Sequence, residues 1–161
     1  EEFARLFIEQ AGKVMTRKTV LFDTVPEAIS TLQRATIGLG IVSTKFRHRI
    51  VEILTREGLL DAFDVIIGGE DVVRHKPDPE GLLTAIDRLG STPPKTLYVG
   101  DSVVDAETAR QAHVPFVAVI SGTTESEAFA EQPVVGILES LQQLPALLNR
   151  QTEQRRHGEE Y

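Results

Sequence analysis

Three short stretches of this chain carry residues able to handle an anion or a cation. Ser43-Thr44-Lys45 follows an apolar run. Two adjacent hydroxyls at the end of a strand and ahead of a helix offer side-chain and backbone N–H donors to a phosphate. The same residues have a simpler use, because Ser43 or Thr44 would cap a helix beginning near Phe46. The second stretch is Lys76-Pro77-Asp78-Pro79. Its prolines stiffen the backbone around Asp78 and open the next helix, so Lys76 sits on a fixed segment where its ammonium can hold a phosphate and screen carboxylates. An exposed lysine before a helix is the plainer alternative. The third stretch is Val99-Gly100-Asp101-Ser102-Val103-Val104-Asp105. Gly100 permits close backbone approach, Asp101 falls at the strand tip, and Asp105 lies one helical turn further on the same side. Two carboxylates converging there are costly unless a cation or a cationic side chain compensates them. Magnesium suits them, since it takes one or two carboxylates together with waters and substrate oxygens. Asp101 capping the helix and Asp105 steadying its first turn is a compatible alternative.

The elements that must position these groups follow from periodicity. A helix is expected over 3–11, then a β-branched and apolar run over 19–22, and a helix opened by Pro26 with Ala28, Ile29 and Leu32 on one face. Ile37 to Val42 reads as a strand, Phe46 to Glu57 as a helix stopped by Gly58, and Phe63 to Ile67 as a strand. Pro79 to Leu89 reads as a helix stopped by Gly90, followed by a strand over Thr96 to Val99. Ala106 to Ala112 is helical, Pro115 to Ile120 and Val134 to Leu138 are extended, and a last helix lies near Leu141 to Leu148. Strands alternating with helices predict an α/β fold with a doubly wound parallel sheet. In such sheets ligands bind beyond the carboxyl ends of the strands, where all three stretches fall.

Composition narrows the partners. The chain has 161 residues, 41% hydrophobic and 25% charged, the balance of a globular domain with a core. A net charge of −7 and an isoelectric point near 5.1 argue against a nucleic-acid surface, and Lys45 to Arg49 and Arg155 to His157 read as solvated faces. With no cysteine, thiolate chemistry and disulfides are excluded and a reducing, cytoplasmic setting is expected. No apolar run approaches the ~20 residues of a membrane helix.

Taken in order, Leu39 to Lys45, Gly69-Glu70-Asp71, His75 to Pro79 and Val99 to Asp105 resemble the second, third and fourth motifs of the haloacid dehalogenase superfamily. Within it they look most like phosphoglycolate phosphatases and similar pyrophosphatases, from about Val25 to Leu148. The resemblance implies a Rossmann-like core over 25–150, the end of a helical cap over 1–24 and a polar tail over 151–161. It implies phosphoryl transfer from a small phosphorylated metabolite to an aspartate, with Mg2+ as cofactor. Ser43 and Lys76 would hold the phosphoryl oxygens with Thr44 in support, Asp101 would bind the metal, and Asp105 would support the metal or its waters. Ser102 would be a secondary polar contact.

The family's first motif, Asp-x-Asp-x-Thr on the first strand, has no counterpart ahead of Ser43. Asp23 is followed two residues later by Val25 rather than a second carboxylate, and reads as the exit of the cap. The resemblance therefore implies a sheet lacking its central strand, between those ending in Ser43 and Asp101. Such a chain would be inactive and poorly folded alone unless those two strands pair directly. A non-catalytic relative that binds a phosphorylated ligand or a partner protein is the competing reading. A phosphate-accepting receiver domain is disfavoured because Lys76 precedes the acidic tip. His113 stands where the family usually has glycine, in a left-handed helix end that histidine tolerates.

Overall fold

The structure is a computed structural model that describes Leu21, residues 23–120 and residues 125–150. The helix expected over 3–11, most of the run over 19–22, nearly all of the cap segment and the tail over 151–161 lie outside the described residues.

The chain alternates as expected: α1 (Val25–Arg34), β1 (Gly40–Val42), α2 (Arg47–Arg56), β2 (Val65–Ile67), α3 (Glu80–Arg88), β3 (Tyr98–Gly100), α4 (Val103–Ala112), β4 (Phe116–Val119) and β5 (Val134–Leu138). A 3-10 turn over Leu141–Gln143 leads into helical residues 144–150. Gly58 and Gly90 follow α2 and α3 at positive φ, 67° and 63°, where glycine carries no Cβ penalty. His113 closes α4 in the left-handed region at φ 56°.

All strand pairs are parallel. Gly40, Ile41 and Val42 lie opposite Val65, Ile66 and Ile67, while β4 pairs with β3 on one side and β5 on the other. The described strands form two sheets, β1-β2 and β3-β4-β5. Direct pairing of β1 with β3, which would have closed the sheet, does not occur among the described residues.

The two sheets nevertheless share their interior. On one face Leu82 and Ile86 of α3, Ala106, Ala109 and Ala112 of α4, and Phe116 of β4 form a cluster against which Val42 of β1 and Tyr98 of β3 both pack. Val117 points to the opposite face, as strand alternation requires. There it joins Leu32 of α1 and Leu144, with Leu39, Leu97 and Val99 packed alongside. Helices cover both faces, so the architecture is doubly wound. The first cluster takes side chains from both sheets and the second from β3, β4 and β5 together with Leu39 just ahead of β1. Among the described residues packing rather than a hydrogen-bond ladder therefore joins the two sheets. No helix among the described residues is long and apolar enough to cross a membrane.

Candidate active site

The loop after β1 is laced to the end of β2. Ser43 N–H donates to Ile67 O at 3.0 Å and Gly69 N–H to Lys45 O at 2.9 Å. A Cβ on Gly69 would sit 2.5 Å from Thr44 O, and one on Gly68 would sit 2.4 Å from Arg47 N. The two glycines therefore set how closely the loops approach.

The helix cap expected of Ser43 or Thr44 is absent. Phe46 is the N-cap of α2 and makes no side-chain cap bond. Glu70, arriving from the β2 loop, instead accepts the Arg47 N–H on both carboxylate oxygens at 2.9 Å. Its negative charge meets the positive end of the helix. Ser43 Oγ accepts from Lys45 N–H at 3.1 Å, which leaves its own O–H to donate elsewhere. The first amide of α2 is thus taken, and the groups on this loop suited to a phosphate are the hydroxyls of Ser43 and Thr44. We expect Glu70→Ala to cost about 0.5–2 kcal/mol, read by thermal unfolding.

Lys76 is fixed from two directions. Behind it, the Glu80 carboxylate at the start of α3 accepts from Val73 N–H at 2.9 Å and from Arg74 N–H and Nε at 3.1 Å. Those bonds, with the Val73 amide first, hold the Glu80 carboxyl below its ordinary pKa. Asp78 Oδ1 accepts from Glu80 N–H at 2.9 Å and Asp78 Oδ2 lies 3.3 Å from Arg74 Nε. In front, Lys76 Nζ donates to Asp105 Oδ1 at 2.6 Å and stands 3.5 Å from the Tyr98 hydroxyl. Its side chain is only 18% exposed.

Asp105 is 5% exposed and its acceptors are well occupied. Oδ1 takes Lys76 and, at 3.1 Å, the Tyr98 O–H, while Oδ2 takes the Ser102 O–H at 2.6 Å. Burial pushes the Asp105 carboxyl up, but the bonds from Lys76 and Ser102, the lysine charge and the Tyr98 bond together hold it below its ordinary range. Burial first, then the Asp105 charge, pushes the Tyr98 phenol well above its usual value, so it remains a donor. Gly100 makes room for this packing: a Cβ there would meet Asp105 Cβ at 2.5 Å.

Asp101 does not cap α4. Ser102 is the N-cap and accepts from Asp105 N–H. Asp101 is exposed and has no hydrogen bond or ion pair among the described residues. Its open carboxylate suits magnesium, which takes one or two carboxylates with waters and substrate oxygens completing its shell. Asp105, already engaged by three side chains, fits a supporting place. No group of three acidic or histidine residues able to hold a metal occurs among the described residues.

Ser43, Thr44 and Lys76 line one pocket, with Val42, Arg74 and His75. Asp101 and Asp105 do not line it, and Lys76 links that pocket to Asp105. Tyr98, Glu70 and Glu80 have no role that their sequence positions signal. Tyr98 lay inside the motif, but an aromatic in a strand reads as core. Glu70 falls in a motif of the resemblance without a role of its own and Glu80 in no motif, and only the surplus of loop amides needing acceptors hints at their use.

Parallel strands between helices, with polar residues gathered beyond strand ends, define a Rossmann-like α/β protein. The family model for haloacid dehalogenase-like hydrolases matches residues 1–119, and the chain belongs to that family. It is 36% identical over 144 residues to the phosphoglycolate phosphatase of Salmonella paratyphi A and 36% identical over 145 residues to that of Escherichia coli K12. Each alignment covers 89% of this chain and 57% of the relative, so the chain spans little more than half the length of these curated relatives. Among solved structures, a haloacid dehalogenase-like hydrolase from Bacteroides fragilis superposes with a TM-score of 0.83 at 45% identity, over 89% of this chain and 68% of that one. A hydrolase of the same superfamily from Geobacter sulfurreducens superposes at 0.69 with 28% identity, over 82% and 63%.

Proposed function

We propose that this chain is the phosphate-handling part of a magnesium-dependent phosphatase of small phosphorylated metabolites, acting through an aspartyl-phosphate intermediate, with phosphoglycolate its first-choice substrate. The observation that carries this reading is Lys76, which shares a pocket with Ser43 and Thr44 and is tied on its other side to buried Asp105. An ammonium has three N–H donors. Asp105 takes one, leaving donors for phosphoryl oxygens entering the pocket. Ser43 and Thr44 would donate their hydroxyls to the same oxygens, and Asp101 would face the metal. Magnesium, when bound, would supply positive charge where negative charge gathers on the transferring group.

The nucleophile is not among these residues, since no Asp-x-Asp precedes Ser43 and Asp23 occupies an exposed turn. We therefore expect this chain alone to hydrolyse neither p-nitrophenyl phosphate nor phosphoglycolate in magnesium. It should still bind orthophosphate, seen as broadening of the 31P resonance, and Lys76→Met should abolish that response. Broadening that survives Lys76→Met, or turnover by the chain alone, would overturn the reading. Inorganic pyrophosphate is the next substrate in order, pyrophosphatases being the other group that the motifs resemble. The missing Asp-x-Asp also favours a second reading, a non-catalytic module that binds a phosphorylated ligand or a partner. Hydrolysis by a longer protein carrying both this segment and an upstream Asp-x-Asp strand separates the two.

A further inference from the structure

Tyr98 is the one phenol among the described residues, and it stands where the two sheets meet. Its ring packs against Phe116 at 6.0 Å between centroids, and Phe116 packs against Phe129 at 6.2 Å. Phe116 and Phe129 are each 1% exposed, so the ring is seated on an immobile base. Its oxygen lies 3.1 Å from Asp105 Oδ1 and 3.5 Å from Lys76 Nζ. A phenol has one hydrogen, and an ionised carboxylate can only accept. The Tyr98 hydrogen therefore goes to Asp105, and its oxygen lone pairs turn toward the ammonium. Ser102 holds the other carboxylate oxygen. The carboxylate is thus clamped at both oxygens, and the lysine meets two acceptors in a fixed triangle rather than one that can swing.

We propose that Tyr98 is a positioning residue for Lys76, fixing the ammonium between Asp105 and the pocket lined by Ser43 and Thr44. Lysine has a long, flexible stem, and an ammonium with a single partner samples several rotamers. A second acceptor on a rigid ring removes that freedom, so the one remaining N–H donor points in a constant direction. This deepens the phosphate-handling reading of Lys76 and rests on it for its purpose. The geometry itself can be tested without it.

The test uses the full chain labelled with 13C at the lysine side chains, comparing wild type, Tyr98→Phe and Phe129→Leu. Lys76 is assigned by the signal lost in Lys76→Arg. In the wild type its ε-methylene protons should be resolved from each other and from those of the other four lysines, Lys45 and Lys95 included. Tyr98→Phe keeps the ring on Phe116 and removes only the hydroxyl. It should collapse that pair toward the freely rotating value and weaken orthophosphate binding about fivefold. Phe129→Leu loosens the same core without touching the hydroxyl, and should leave the Lys76 pair resolved. Lys76 signals unchanged in Tyr98→Phe would overturn the proposal. So would an equal collapse in Phe129→Leu, which would reduce Tyr98 to core packing. Loss of phosphate binding in the wild type, with the Lys76 pair still collapsing in Tyr98→Phe, would sink the phosphatase reading and leave the positioning role standing.

Discussion

Asp105→Ala should lower the free energy of unfolding by about 3–5 kcal/mol in urea at pH 7, because it strands a partly buried ammonium without its counter-charge. Lys76→Ala should cost a similar amount by the reverse route, leaving a carboxylate at 5% exposure with only Tyr98 and Ser102. The pair as a whole is a different matter. Desolvating two charges offsets much of their attraction, so the double variant Lys76→Met, Asp105→Leu should recover most of the stability lost by either single change. It should recover no phosphate binding. Equal losses in the double and single variants would show that the network, not charge balance, sets the stability. The pH dependence has a defined sign. The Asp105 carboxyl is held below its ordinary value, so the pair's contribution is complete above about pH 4. It is lost as pH falls through the lowered folded-state value, and Asp105→Ala should remove that part of the acid sensitivity.

Phe116→Ala should cost about 3–5 kcal/mol, the usual range for removing a buried aromatic. Phe116 is 1% exposed in β4, the middle strand of its sheet, between Tyr98 and Phe129. The cavity would open directly beneath the Tyr98 ring. Beyond the stability loss, urea unfolding should show an unchanged slope, since the surface exposed on unfolding barely alters. A loss below about 1 kcal/mol would mean that the neighbouring rings collapse into the space.

Much of this fold is legible from periodicity. The span of β5, Val134–Leu138, and the stops at Gly58 and Gly90 follow from local rules about pattern and backbone freedom, whereas the left-handed end at His113 is implied by the resemblance, which puts glycine there. The start of α4 is legible only in part. The pattern suggests Ala106, whereas the helix begins at Val103, because Val103 and Val104 are exposed apolar residues that blur its face. The expected cap on α2 fails for a different reason. Glu70, 23 residues from Arg47, outcompetes the adjacent hydroxyls, and a bond of that span has no local signature. The candidate residues Ser43, Thr44 and Lys76 are legible as strand-end polar groups, and the structure sets them along one pocket. The inward turn of Asp105 was not readable, because it depends on Gly100 leaving space and on a lysine reaching across from the loop after β2.

The seam between the two sheets has a mechanical consequence. Lys76 follows β2, while Tyr98 and Asp105 belong to β3 and α4, so this contact crosses from one sheet's half to the other. Layers held by side-chain packing can slide a little where a backbone ladder would hold them in register. Lys76 and Asp105 bridge that seam from one side to the other, with 2.6 Å between Nζ and Oδ1. That distance gauges how the hydroxyl-bearing strand end is aligned with the acidic one.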